Sequence, residues 1–160
     1  MHSFIYEISS SPISREKRTT RSDLPEWFQT VCDYADDLTG LPRQAAIQSF
    51  AGRFHGNCKA EDDKITFTPQ AKNEYFKDSF RYFRSALSVL DKVDLNSFSG
   101  TNPAPVLYAA VRGLMESYED DRDVYIYDPN DKDLQTLDSW LRTTDFQVPL
   151  YLGGVIDYHS

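Results

Sequence analysis

The sequence predicts an α+β fold in which a mixed or antiparallel sheet of four to five strands carries about four to five helices. Segments rich in β-branched and aromatic residues occur at both ends of the chain and in its middle, and apolar residues recur at helical spacing between them. The two patterns neither alternate strictly nor separate completely, which favours α+β over α/β. A length of 160 residues makes one domain, 1–160, the default and two small lobes the alternative.

The first strand is predicted at "SFIYEIS", because Phe4, Tyr6 and Ile8 alternate with other residues and form one strongly apolar face. Residues 10–22 follow as a polar loop without periodicity. Loops of this length are typically mobile or functional.

A helix is then predicted from Ser22 or Asp23 to Gly40. Pro25 suits its first turn, and Gly40 with Pro42 is typical of a helix end. Its expected buried stripe consists of Trp27, Val31, Tyr34 and Leu38. A second, shorter helix is expected in "PRQAAIQSFAG".

The middle of the chain predicts a hairpin followed by the clearest helix. Phe54–Lys59 and Lys64–Thr68 have strand character and are joined by a turn at "AEDDK". Thr68 is expected to cap the helix that follows, with Pro69 in its first position. The stripe of this helix is expected to face the core and consists of Phe76, Phe80, Phe83, Leu87 and Leu90.

After a loop at "LNSFSGTNPAP", the last third predicts a helix, a strand, a helix and a strand. Gly113 lies inside the first of these helices, where it would allow another helix to approach closely. "DVYIY" is expected to be a buried strand, and the next helix to open at Asn130 or Asp131. Pro149 predicts an edge position or a bulge for the final strand, "FQVPLYLGGVIDY", and Gly153-Gly154 predicts a bend. The buried face of the "PVLYAAVRGLMESY" helix is expected to consist of Leu107, Val111, Leu114 and Tyr118.

The negative charge of the chain is concentrated in one segment. The net charge is −8, and the residues from Glu116 to Asp138 contain nine acids and two bases, a net of −7. A local surplus of this kind affects association with partners rather than the fold. The candidate partner-binding residues are therefore Glu119, Asp120, Asp121, Asp123, Asp128, Asp131 and Asp133.

Turn and cap chemistry is an alternative explanation for several of these acids. Asn130 or Asp131 would cap a helix, and Asp128 would begin a turn. Asp121 and Asp123 share one face of an incoming strand, but the residues after Asp128 do not follow the spacing of a calcium-binding loop. We therefore predict no metal site and no cofactor.

No catalytic constellation is apparent, so the catalytic residues are unknown and the sequence favours a protein that is not an enzyme. His55 precedes Cys58 by three residues, a spacing that on a strand places the two side chains on opposite faces. Neither of the glycine-rich phosphate-binding motifs, GxxxxGK[ST] and GxGxxG, is present.

The composition is that of a soluble globular protein with an aromatic-rich core, and we expect it to be cytoplasmic. The N-terminus lacks the basic region of a signal peptide, and no apolar run approaches the roughly 18 residues of a membrane span. Cys32 and Cys58 lie far apart in sequence and are expected to be reduced thiols.

These features favour a small acidic binding or regulatory module that docks a partner protein. One alternative is an acidic nucleic-acid mimic that inhibits a DNA- or RNA-handling enzyme. A second is a carboxylate-dependent enzyme with an unknown reaction. A pI near 4.8 disfavours direct binding to nucleic acid, and the oligomeric state is left open.

Overall fold

The computed structural model describes residues 3–100, 104–118, 123–145 and 148–159. It divides the chain into two compact units, Met1–Lys72 with Asp120–Ser160, and Asn73–Glu119. The prediction of a single domain stays a prediction. The α+β class is confirmed, and the sheet is mixed, but its seven strands exceed the four to five predicted. The described residues also form six α-helices and two short 3-10 turns, at Arg15–Lys17 and Arg21–Asp23.

The strands are β1 (Ser3–Ser9), β2 (Tyr34–Asp37), β3 (Cys58–Glu61), β4 (Lys64–Phe67), β5 (Val124–Asp128), β6 (Asp133–Thr136) and β7 (Leu150–His159). Their order is β3-β4-β7-β1-β5-β6, and β2 also pairs with β7. The β1–β5 pairing is parallel, and each of the other pairings is antiparallel. The helices are α1 (Glu26–Val31), α2 (Gly40–Gly52), α3 (Ala71–Leu90), α4 (Leu95–Ser99), α5 (Ala104–Tyr118) and α6 (Leu137–Thr143).

The prediction of one helix that runs to Gly40 is wrong over most of that range. The helix ends at Val31 as α1, and residues 34–37 form β2 against β7. Of the expected buried stripe, Trp27, Val31 and Tyr34 are exposed, and Leu38 is half-buried. Pairing with the β7 edge gives residues 34–37 interstrand hydrogen bonds, which outweigh a weak helical pattern. Gly40 has a φ of 57° and starts α2 rather than ending the preceding helix.

The helix predicted to open at Asn130 or Asp131 is also wrong at its start. Those residues lie in the turn of a β5–β6 hairpin, where Lys132 has a φ of 51°. The helix begins later, as α6, and the Thr136 side chain caps it by accepting a hydrogen bond from the Ser139 amide. The residues that the sequence pattern assigned to the first helical turn therefore form the hairpin turn and β6, because β6 pairs with β5.

The hairpin and the two longer helices are close to their predicted positions. β3 begins four residues later than expected, because His55 and Gly56 have positive φ angles and form a turn after α2. α3 begins at Ala71 rather than at Pro69, and α5 covers the predicted segment. The predicted loop between them contains α4, which Asp94 caps by accepting from the Ser97 amide at 2.7 Å. None of the described helices is both long and apolar enough to cross a membrane.

Both faces of the sheet are covered, so β1 is buried on both sides rather than on one. On one face, Phe28 of α1 lies against Ile5 and Tyr158, with 5.0 Å between the rings of Phe28 and Tyr158. On the other face, Tyr6 contacts Phe50 of α2 with ring centroids 4.9 Å apart. β1 and β7 are consequently the centre of the fold.

β7 is a central strand, so the edge position, one of the two alternatives predicted from Pro149, is wrong. It pairs with β1 along one edge, and its other edge is shared end to end by β4 at Leu150–Tyr151 and β2 at Ile156–His159. Pro149 does not disturb this arrangement because it precedes the first paired residue. The shared edge has a gap between the two short strands.

Arg43 of α2 fills this gap. Its guanidinium donates to the Leu152 carbonyl at 2.9 Å and to the Gly153 carbonyl at 2.6 Å and 3.1 Å. The same group donates to the Asp63 carboxylate at 2.6 Å. The side chain is only 3% exposed, and it gives buried strand carbonyls the donors that no neighbouring strand supplies.

Glu7 binds the opposite edge of β7 at a bulge. Between the pairs Tyr6–Val155 and Ile8–Leu152, the single residue Glu7 faces two glycines, Gly153 and Gly154. The Glu7 carboxylate accepts hydrogen bonds from the amides of Gly154 and Thr19. The loop at residues 10–22 is thereby bonded to the sheet through Thr19.

We expect Arg43→Met to lower the free energy of unfolding by about 3 kcal/mol or more, because it leaves two buried carbonyls without donors. Urea denaturation measures the change. Arg84→Met removes an exposed arginine of α3 and should change stability by less than about 0.5 kcal/mol. Equal effects of the two substitutions would show that the gap does not depend on Arg43.

Gly154→Ala should cost about 3 kcal/mol or more, because the new Cβ would lie 2.0 Å from the Thr19 carbonyl oxygen. Gly52→Ala is the matched control. Its Cβ meets nothing within 4 Å, and it should be neutral or stabilise by up to about 1 kcal/mol. Thermal unfolding of both variants compares them directly; an unchanged melting temperature for Gly154→Ala would contradict the close approach.

Candidate functional site

The acidic candidates that the structure describes lie at two separate places. Asp128, Asp131 and Asp133 are at the turn of the β5–β6 hairpin, and Asp123 directly precedes β5. The five residues of β5 separate the two places by roughly 17 Å. Glu119, Asp120 and Asp121 lie outside the described residues. The structure thus does not bring Asp123 next to the hairpin acids.

Turn chemistry accounts for two of the hairpin acids. Asp128 accepts hydrogen bonds from the backbone amide and the side-chain amide of Asn130, at 2.8 Å and 3.1 Å. Asp133 accepts from the Leu134 amide at 2.9 Å. Asp131 and Asp133 are exposed and keep their charges at the sheet edge. Their part in partner binding stays a prediction.

Tertiary structure brings together other acids that are distant in sequence. Asp36 of β2 lies directly opposite Asp157 of β7. The negative charge of Asp36, followed by burial and by Asp157, raises the pKa of the exposed Tyr34. Like charges placed directly opposite on neighbouring strands are unfavourable, so this pair adds a second concentration of negative potential.

The described residues offer neither a metal centre nor an activated nucleophile. Among them, no group of three or more His, Cys, Asp and Glu side chains is placed to hold a metal ion. His55 lies in a turn rather than on the expected strand, so the predicted opposite-face geometry with Cys58 does not arise. Burial raises the pKa of the Cys58 thiol to about 12, which keeps it protonated at neutral pH.

α5 presents an exposed apolar stripe. Tyr108, Val111, Met115 and Tyr118 follow one another at spacings of 3, 4 and 3 residues, which places them on one face of the helix. They are 71%, 45%, 71% and 66% exposed, respectively. Val111 and Tyr118 were predicted to be buried, and that prediction is wrong. We call these four residues the α5 stripe.

The contact between α3 and α5 explains why large side chains remain outside. It uses small residues: Gly113 and Ala110 of α5 are buried, as is Ala86 of α3. A Cβ on Gly113 would lie 3.0 Å from the Tyr82 hydroxyl and 3.6 Å from the Ala86 side chain. The close approach expected at Gly113 is therefore confirmed, and it leaves no space in this contact for the α5 stripe.

The predicted core stripe of α3 is only partly buried. Phe76, Phe83, Leu87 and Leu90 are half-buried, and Phe80 is exposed. Leu95 and Phe98 of α4 are exposed as well. The described helices of residues 73–119 consequently leave several large apolar side chains exposed.

Charged side chains on these helices form pairs within their own helix. Lys77 pairs with Glu74 at 3.0 Å on α3, and Arg112 pairs with Glu116 on α5. Arg81 and Asp78 make a further pair at 3.0 Å. Intrahelical pairs neutralise charge locally. On α5, the Arg112–Glu116 pair therefore balances its own charge.

The sequence matches no known protein-family model, and comparisons with curated proteins and with solved structures found no match.

The α5 stripe was missed because its residues were divided between an assumed core face and an assumed polar face. The available signal was an excess of apolar residues. Leu107 and Leu114 mark one face of α5, and Tyr108 and Met115 mark an adjacent one. One helix–helix contact buries a single stripe, so two adjacent apolar stripes on one helix predict two contacts.

The two cysteines should differ in reactivity. Native protein treated with iodoacetamide at pH 8 is expected to gain one alkyl group at the half-buried Cys32, while the raised pKa and burial protect Cys58. Mass spectrometry of peptides locates the label, and unfolding should expose both thiols. Comparable labelling of Cys58 in the native state would contradict its buried environment.

Proposed function

We propose that the protein is a non-enzymatic binding module of the cytoplasm that docks a partner protein through the α5 stripe. The supporting observation is the exposure of this stripe. Soluble monomers rarely expose contiguous apolar patches beyond a few hundred Å². Burial of the exposed parts of Tyr108, Met115 and Tyr118 would remove roughly 400 Å² from water, since such side chains bury about 150–250 Å² each.

The spacing of the stripe defines the chemistry of the partner. A 3-4-3 repeat of apolar residues is the pattern that accepts another helix by knobs-into-holes packing. Because Arg112 pairs with Glu116 within α5, these two side chains require no charge on the facing side of the partner. The partner is accordingly an amphipathic helix with an apolar stripe of matching spacing.

The acidic hairpin has a separate role in this proposal. Asp131 and Asp133 keep their charges exposed, and exposed charges act on the rate of encounter more than on the affinity. A partner that carries a basic region would be steered by them. Salt should then slow association and leave the dissociation rate nearly constant.

The separation of the described acids favours docking over nucleic-acid mimicry. A mimic needs carboxylates along one continuous strip, and Asp123 lies a strand length from Asp128. A carboxylate-dependent enzyme would use Asp123 or Asp128 in a pocket with a tyrosine or arginine. Neither residue lines the cavity of about 570 Å³ or the cavity of about 250 Å³ found in the described part of the sheet unit.

The test places a photo-crosslinking amino acid at position 115 and, as a control, at the exposed position 109 on another side of α5. Crosslinking in extract of the source cells should yield an adduct at 115 but not at 109. Mass spectrometry then identifies the segment of the partner that was captured. A synthetic peptide of that segment should be an amphipathic helix and bind in calorimetry.

Met115→Glu should weaken binding of that peptide by about 2 kcal/mol or more, because it places a charge at the centre of the apolar contact. Ala109→Glu adds the same charge outside the stripe and should change the affinity less than about threefold. Absence of an adduct at 115, or equal effects of the two substitutions, would overturn the proposal. A crosslink between two copies of this chain would replace the partner protein with a homodimer.

A further inference from the structure

A cavity of about 570 Å³ lies in the sheet unit, above the gap that Arg43 fills. Its walls come from the loop with Arg15 and Arg18, the end of β2 with Asp37, the first turn of α2, and the β3–β4 turn. This volume is within the range of small-molecule sites. All of these walls belong to the same unit and are distinct from the α5 stripe.

The floor of the cavity is fixed by two ion pairs. Asp63 binds two guanidinium groups at 2.6 Å, one from Arg43 and one from Arg18. Arg43 is held in turn by the carbonyls of Leu152 and Gly153. Two arginines therefore share one carboxylate, and Arg43 bonds the whole group to the sheet.

Arg15 and Arg18 bring donors to the mouth of the cavity. Arg18 directs one Nη to Asp63, and its Nε is buried without a hydrogen-bond partner among the described atoms. Arg15 is exposed and forms none of the ion pairs found among those residues. The guanidinium fork suits a planar or tetrahedral oxyanion, which can accept two parallel hydrogen bonds.

The walls also carry three carboxylates, those of Asp37, Asp62 and Asp63, and these equal the three arginines of the lining in number. Asp63 is shared by two arginines, and Asp37 accepts a hydrogen bond from the Arg21 amide at 2.7 Å. Asp62 is exposed in the β3–β4 turn with a φ of 52°. The start of α2 faces the same space, and the Thr39 side chain forms no cap there. The amides at the start of α2 and the arginine side chains therefore both attract an anion.

We propose that this cavity binds a small ligand through an oxyanion, a phosphate or a carboxylate group. Arg15 and Arg18 contact the oxyanion, and Arg43 acts as a positioning residue that fixes Asp63 and, through it, Arg18. Asp62 on the rim opposes the ligand by charge repulsion and sets the affinity. The inference is independent of partner docking, because it concerns residues on a different unit.

Titrations with inorganic phosphate and with succinate, at ionic strength held constant with chloride, test the site. Calorimetry and the NMR shifts of the Thr39, Gly40 and Gly154 amides report binding. Saturable binding of one probe or both is expected, and the stronger probe identifies the preferred oxyanion. Neither probe binding in the millimolar range would overturn the proposal.

Two substitutions of opposite sign distinguish the site from general attraction of anions. Arg15→Gln should lower the affinity for the probe that binds about tenfold or more, because it removes a charged donor. Asp62→Asn should raise the affinity for the same probe about threefold or more, because it removes a repelling charge. Asn also tolerates the positive φ at this position. Arg84→Gln on α3 is the control and should have no effect. Equal affinities in all three variants would show an adventitious ion only and overturn the proposal.

Discussion

The fold depends on how the backbone groups of β7 are satisfied. This strand is central, yet two short strands share one of its edges and leave buried carbonyls between them. Arg43 supplies the missing donors, and the Asp63 carboxylate holds the guanidinium in place. A buried polar group without a hydrogen-bond partner lowers the free energy of unfolding by about as much as several apolar contacts raise it. Because Arg43 bonds the carbonyls left between β2 and β4, both strands can pair with β7.

At the opposite edge of β7, a carboxylate binds backbone amides. Glu7 accepts from the Gly154 amide and the Thr19 amide, and the two glycines leave room for its carboxylate and for the Thr19 backbone. The sheet edge at the gap, the polar loop and α2 surround one cavity. A structural requirement of the sheet thus creates a concave surface with fixed charges, which is the kind of scaffold on which binding sites are commonly built.

The helical unit follows a different principle. Its internal contact uses Gly113, Ala110 and Ala86, so the helices approach closely there while large side chains remain at the surface. A helix with two apolar stripes needs two neighbours, and the described residues supply one of them for α5. The sheet unit is stabilised by satisfying its polar groups, whereas the described helices of the other unit leave large apolar side chains exposed.

The sequence by itself determined the α+β class, the first strand, the β3–β4 hairpin and the positions of α3 and α5, because strong local periodicity and turn residues specify them. Only tertiary structure decided β2 and β6. Their residues have mixed local preferences, and a free strand edge supplied the hydrogen bonds that settled them. The same reason applies to the candidate sites. Sequence located the acidic segment, but the pairing of Arg43 with a strand gap and the exposure of the α5 stripe depend on contacts between residues distant in the chain.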